Sequence, residues 1–107
     1  MALYKETRQI YRLIEKAGAL VEDLPIGGPI PGRETLRIFE RLVAKIKTFK
    51  RRYKEEDDKA SEAHDLMDEL DGGQADITLL LNLMRTGHVW TTTMHDLADS
   101  MLNDYAF

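Results

Sequence analysis

Apolar residues recur at every third or fourth position along most of the chain, which is the period of an amphipathic helix. The first such stretch runs from Leu3 to Leu24 and stops at residues 25–32, a segment with three prolines and three glycines. Proline lacks the backbone N–H that a helix interior needs, so this segment is predicted to be a loop. Because the loop also contains Ile26 and Ile30, we expect it to lie against the core.

A second periodic stretch begins near Arg33 and continues to Tyr53, where it meets four consecutive acids at residues 55–58. Carboxylates favour the N-terminus of a helix over its C-terminus, so this run predicts a break and the start of a third helix. The third stretch contains Gly72-Gly73, yet its apolar phase continues to Met84. The pattern fits one long helix that tolerates both glycines, and it also fits two coaxial helices that meet there.

Gly87 ends the third stretch, and the threonines at 91–93 offer N-cap side chains for a last helix. Asp96 stands three residues after Thr93, an arrangement similar to a capping box. No segment alternates apolar and polar residues with a period of two, and no internal repeat is visible. These patterns predict an all-α fold, a small bundle of four or five helices in one domain.

The composition is that of a folded domain without a membrane span or cysteine chemistry. Of the 107 residues, 43% are hydrophobic and 32% are charged, which is enough apolar material for one core. No apolar run approaches the roughly 20 residues that cross a bilayer, so we expect no transmembrane segment. The chain has no cysteine, and this excludes disulfides, thiolate zinc sites and thiol catalysis.

The formal net charge of −4 conceals an uneven distribution along the chain. Residues 1–32 carry four basic and four acidic side chains, residues 33–54 nine and two, and residues 55–107 two and thirteen. Either the basic segment packs beside the acidic half and the two neutralise each other, or it presents a basic face to an acidic partner. Nucleic acid is not the expected partner, because the pI is about 5.3 and the acidic half would repel a phosphate backbone.

Few side chains suggest catalysis or metal binding. No two histidines have the three- or four-residue spacing of helical metal ligands, so solvent-exposed or capping roles explain them better. One acidic helix could supply Mg²⁺ ligands, as in all-α nucleotide pyrophosphohydrolases, but those enzymes draw ligands from two acidic helices. An exposed acidic face is the better interpretation, and we predict no catalytic residue and no metal site. The residues weighed here are His64, His88, His95, Glu62, Asp65, Asp68 and Glu69.

Two short motifs resemble those of the LYR-motif family, small mitochondrial proteins with a three-helix core. Ile10-Tyr11-Arg12 stands where the family has Leu-Tyr-Arg, and Lys16 takes the basic position that follows. Residues 46–51 place basic side chains on both sides of a phenylalanine, as the second helix of the family does. An acidic turn and a third helix that ends near Gly87 follow in the family's order. The resemblance covers about residues 7–87.

The resemblance implies a non-catalytic adaptor, an accessory subunit or assembly factor of a mitochondrial complex such as a respiratory complex, ATP synthase or the mitoribosome. Residues 1–87 would form the LYR-like bundle, and residues 88–107 a C-terminal helical extension of the same domain that docks a neighbouring subunit. The partner would be the acyl carrier protein, an acidic helical protein. That partner would supply an acyl-phosphopantetheine, and this chain would bind no cofactor directly.

The resemblance also assigns roles to individual residues by position. Basic residues would bind the acidic carrier, and apolar residues of the first two helices would line a channel for the acyl chain. The carrier-binding residues would be Arg12, Lys16, Lys45, Lys47, Lys50 and Arg51, and the channel residues Tyr11, Leu42, Ile46 and Phe49.

Outside that family, the sequence fits a helical protein–protein interaction module or a homo-oligomer joined through its basic and acidic faces. The expected cellular location differs between these interpretations: the mitochondrial matrix for an LYR-like protein and the cytoplasm otherwise. Four acids among the first 30 residues are atypical of a cleaved mitochondrial presequence. In the mitochondrial case we therefore expect an internal import signal or an already mature chain.

Overall fold

The computed structural model describes residues 2–55 and 61–104, with side chains described at 5–54, 63–71 and 73–101. Four helices lie in these ranges, in the order α1 (Ala2–Val21), α2 (Arg33–Glu55), α3 (Ser61–Thr86) and α4 (Thr92–Asp104). Each helix packs against the next, α4 packs back on α1, and a smaller contact joins α1 and α3 across the diagonal. The prediction of a small all-α bundle is confirmed.

Side-chain bonds between the helices show their directions. Arg52 near the end of α2 pairs with Glu6 near the start of α1, and Lys45 bonds to Gln9 one turn further along α1. Since the residue numbers run in opposite senses along the two helices, α1 and α2 are antiparallel. The molecule is an elongated bundle of 47 × 22 × 18 Å.

The core is built from the apolar stripes that the helical period predicts. All four helices and the α3–α4 connection contribute side chains that are at most 8% exposed. Fully burying one large aliphatic or aromatic side chain contributes roughly 1.5–3 kcal/mol, so this single core is the main source of stability. The largest of these buried side chains are Ile10, Ile14, Phe39, Leu42, Ile46, Phe49, Leu66, Leu70, Ile77, Leu80, Met84 and Trp90.

The two loops at one end of the bundle pair with each other. Gly27 N donates to Trp90 O and Trp90 N donates to Gly28 O, each at 2.8 Å. Gly27 has φ +89°, a left-handed conformation in which a side chain is strained. The loop lies against the core through Ile30, as predicted, whereas Ile26 is 55% exposed.

The structure decides between the two interpretations of the third stretch. α3 is continuous from Ser61 to Thr86, so Gly72-Gly73 lies inside one long helix. The predicted break at residues 55–58 falls between α2, which ends at Glu55, and α3, while residues 56–58 lie outside the described part of the chain.

The start of α4 differs from the predicted capping box. Met94 N donates to Thr91 Oγ1 at 3.2 Å, which makes Thr91 the N-cap, and α4 begins at Thr92. Thr93 is therefore inside the helix and cannot pair with Asp96 as a capping box. The N3 position that the box needs is occupied by Met94, which has no carboxylate to return a hydrogen bond.

α4 occupies the fourth corner of the bundle, in contact with both α1 and α3. The segment expected as a C-terminal extension thus shares the common core through Met94, Ala98 and Met101. In the part of the chain that the structure describes, no helix is both long and apolar enough to cross a membrane.

Candidate functional site

The bundle has a basic half, formed by α1 and α2, and an acidic half, formed by α3 and α4. By sequence, α1 and α2 together carry thirteen basic and five acidic side chains, a formal charge of +8. α3 and α4 together carry one basic and nine acidic side chains, a formal charge of −8. The small net charge of the chain is therefore the balance of two strongly charged surfaces.

The two halves do not neutralise each other within the described residues. Two ion pairs join helices there: Arg52–Glu6 between α2 and α1, and Arg85–Glu40 at 3.1 Å between α3 and α2. Neither connects a cation of the basic half to a carboxylate of the acidic half. Within this part of the chain, the structure favours an open basic surface over internal neutralisation.

The exposed cations of α1 and α2 lie on stripes that meet at the α1–α2 seam. On α1, Lys5, Gln9, Arg12 and Lys16 follow four- and three-residue steps, which place them on one side of the helix. On α2, Arg37, Arg41 and Lys45 are four residues apart and lie on one side in the same way. Five of these cations are exposed, and we call them the basic face: Lys5, Arg12, Lys16, Arg37 and Arg41.

A groove of about 270 Å³ runs along the seam between the two stripes. Lys45 Nζ donates to Gln9 Oε1 at 3.2 Å across it. Glu6 accepts a bond from Arg52 on Oε1, while its Oε2 is buried and has no partner in the described part of the chain. We call this the α1–α2 groove; it is lined by Glu6, Gln9, Ile10, Arg41, Ala44, Lys45 and Thr48.

The cations predicted to bind a carrier fall into two groups. Arg12, Lys16, Lys47 and Arg51 are exposed, so they can meet a partner directly. Lys45 and Lys50 are half-buried and hold other helices, Lys45 through Gln9 of α1 and Lys50 through a 2.7 Å bond to Gln74 of α3. Arg12 and Lys16 belong to the basic face, whereas Lys47 and Arg51 lie on α2 outside the four-residue stripe of Arg37, Arg41 and Lys45.

The residues predicted to line an acyl channel lie inside the bundle. Leu42, Ile46 and Phe49 have no exposed surface and are part of the core. Tyr11 is half-buried, and its hydroxyl donates to Glu69 Oε2 of α3 at 2.9 Å. None of these four residues lines the α1–α2 groove.

The histidines and the acids of α3 make local contacts. His64 is exposed, with Nδ1 3.0 Å from the Tyr53 hydroxyl and Nε2 3.5 Å from Asp68. His95 Nε2 lies 3.6 Å from Asp99 one turn along α4, and His88 is exposed. Within the described side chains no group of three His, Asp or Glu residues could hold a metal ion; Glu62 lies outside them.

The sequence interpretation missed Lys5, Arg37 and Arg41 of the basic face and Glu6 of the groove. Arg37 and Arg41 were recognisable in principle, because they repeat at four-residue steps with Lys45. Glu6 was not, since its position beside the groove depends on the antiparallel register of α1 against α2. Sequence periodicity indicates which side of a helix is exposed, but it does not indicate which exposed sides meet.

Comparison with known proteins assigns no relative. No protein-family model, no curated protein and no solved structure matches this chain at a significant level. The likeness to the LYR-motif family therefore rests on the short motifs and their order along residues 7–87.

Proposed function

We propose that this chain is a non-catalytic adaptor that binds an acidic protein surface through its basic face. The observation that carries the proposal is the set of five exposed cations on α1 and α2, none of them in an ion pair with a described carboxylate. Such a surface attracts an acidic partner and accelerates its association, because complementary fields steer the encounter.

The groove favours protein over nucleic acid as the partner. Glu6, which is paired with Arg52, lines the groove beside the cations, and a phosphate backbone carries only acceptors and has no donor to offer it. A protein surface can present carboxylates to the arginines and backbone N–H groups to Glu6 at the same time. We therefore propose a protein whose binding surface is acidic and also offers hydrogen-bond donors.

Acyl carrier protein is the partner that the LYR resemblance implies, and it is the acidic protein to test first. The proposal includes the mitochondrial matrix as the location and an accessory or assembly role in a larger complex. Two features support it: the order of the motifs along α1 and α2, and the exposure of Arg12 and Lys16 beside the first motif. Docking on the basic face leaves Leu42, Ile46 and Phe49 packed in the core.

Isothermal titration of the full chain with purified acyl carrier protein, in holo and decanoyl forms, tests this proposal. We expect binding that weakens steeply as salt rises from about 50 to about 300 mM, because the contacts are between exposed charges. Replacing Arg12 and Arg37 by glutamate should abolish it. Equal affinities for the two forms indicate surface docking, and tighter binding of the decanoyl form supports the channel predicted around Phe49.

Two results would overturn the proposal. One is the absence of carrier binding at low salt together with tight binding of duplex or single-stranded nucleic acid. The other is a salt-sensitive homo-oligomer, detected by light scattering, that the charge reversals dissociate. The +8 and −8 halves are complementary, so self-association is the second candidate that the charge distribution favours.

A further inference from the structure

We infer that the α1–α2 groove is an anchoring site for one acidic residue of the partner, together with that residue's own backbone N–H; this inference rests on the proposed function. The carboxylate would bind Arg41 and Lys45, and the N–H would donate to Glu6 Oε2, which a rotation of the partly exposed Glu6 side chain would turn from its buried position toward the groove. The groove thus determines where on the basic face an acidic segment is held.

The polar groups of the groove call for a ligand that has both an anionic oxygen for the cations and an N–H donor for Glu6. Glu6 Oε2 is a buried acceptor without a partner in the described residues, and buried acceptors are nearly always satisfied by a donor. On the α2 side, Arg41 is exposed and Lys45 is held by Gln9 within reach of the groove. A simple anion would pair with Arg41 and Lys45 but would be repelled by Glu6. A carboxylate with an adjacent N–H would pair with the same cations and also donate a hydrogen bond to Glu6.

The size of the groove fits a short segment. Its volume of about 270 Å³ is far above the roughly 10–15 Å³ that a single water molecule needs on the same measure. One acidic side chain with its flanking amide fills this space, while a whole helix would rest on the rim. Ile10, which is 1% exposed, and Ala44 give the groove an apolar surface for the methylene groups of that side chain.

The test is a titration of the ¹⁵N-labelled full chain with the blocked dipeptide acetyl-Asp-Glu-amide, followed by NMR. We expect chemical-shift changes at Gln9, Lys45 and Thr48. Ala44→Trp fills the groove and should remove these changes. Ala19→Trp adds the same side chain at an exposed position of α1 outside the groove and should leave them in place.

A second comparison tests the contact with Glu6. Succinate carries carboxylates without an N–H and should bind at least about tenfold more weakly than the dipeptide, the loss expected for one hydrogen bond to a charged group. In Glu6→Gln that preference should disappear. In Glu6→Gln the emission of Trp90, the sole tryptophan and a fully buried side chain, reports whether the variant is folded, and far-UV circular dichroism does so for the two tryptophan variants.

The results separate the inference from the function on which it rests. Shift changes spread evenly over the exposed cations, or equal changes in Ala44→Trp and the unsubstituted chain, would overturn the anchoring site. If Ala44→Trp binds the carrier normally while the Arg12 and Arg37 reversals do not, the basic face stands and the groove assignment fails.

Discussion

Glu6 of α1 and Arg52 of α2 form a partly buried ion pair. The side chains are 23% and 35% exposed, compared with 49% and 45% for Glu40 and Arg85, the other ion pair between helices in the described residues. An exposed pair is solvated by water when it is broken, whereas a partly buried carboxylate loses a donor that water replaces only in part. The two pairs should therefore differ in their effect on stability.

We expect Arg52→Met to lower the free energy of unfolding by about 1–3 kcal/mol, because it leaves Glu6 without its charged donor. The matched change Arg85→Met should cost less than about 1 kcal/mol. Urea unfolding followed by Trp90 emission measures both. Equal losses in the two variants would contradict the role given to partial burial.

Gly87 is required by a close approach of backbone atoms where α3 ends. A Cβ at this position would lie 2.7 Å from Leu83 O and 3.0 Å from Met94 Cε. Leu83 O is a backbone atom that also accepts the Gly87 N–H at 2.8 Å, so it cannot move away without loss of that bond.

Gly87→Ala should consequently destabilise the fold by about 1–3 kcal/mol, the usual cost of overpacking. Gly32→Ser is the control, because nothing lies within 4 Å of a Cβ there and serine is a good residue before the first turn of α2. Thermal unfolding by circular dichroism compares them. A Gly87→Ala variant as stable as Gly32→Ser would show that the turn at the end of α3 relaxes freely.

At the scale of the helices, the cap of α4 shows how a local signal is resolved. Three consecutive threonines could each cap the helix, and the sequence adds only that Asp96 stands three residues after Thr93. The loop pairing between Gly28 and Trp90 fixes the chain just before the helix and places the first turn at Thr92. The loop pairing and the Thr91 N-cap together therefore mark the start of α4, and the Thr93 capping box does not form.

We expect Thr91→Ala to cost about 1 kcal/mol, since the Met94 N–H loses its acceptor. Thr93→Ala should be neutral or slightly stabilising, because Thr93 is exposed inside α4 and alanine is the better helix former. Chemical denaturation of the two variants measures the difference. A larger loss of stability in Thr93→Ala than in Thr91→Ala would contradict this assignment and support a capping box at Thr93.

The helices themselves were predictable because their signal is repeated many times. The apolar period of α1 and α2 appears several times over, so one atypical residue does not change the interpretation. Gly72-Gly73 could not be resolved from sequence, since two glycines cost a helix about 2 kcal/mol in total while the apolar phase continues across them from Leu70 to Ile77, both of which are buried. Packing decides such cases, and the continuous α3 shows that burial prevails.

At the scale of the molecule, the separation of charge is the central feature. The sequence indicated a basic and an acidic segment but left open whether they meet in the fold. The answer depends on which surfaces of α2 and α3 face each other. In the structure that seam carries Lys50–Gln74 and Tyr53–His64 contacts, so the exposed cations of α2 remain available. This placement could not be read from composition.

The most direct test of the basic face compares two variants of equal net charge. Arg12→Gln with Arg37→Gln removes two cations from the basic face, and Ala75→Glu with Thr93→Glu adds two acids to exposed positions of α3 and α4. We predict that the first pair weakens binding of acyl carrier protein by about tenfold or more at low salt and that the second changes it by less than about twofold. Equal effects of the two pairs would contradict a localised binding face.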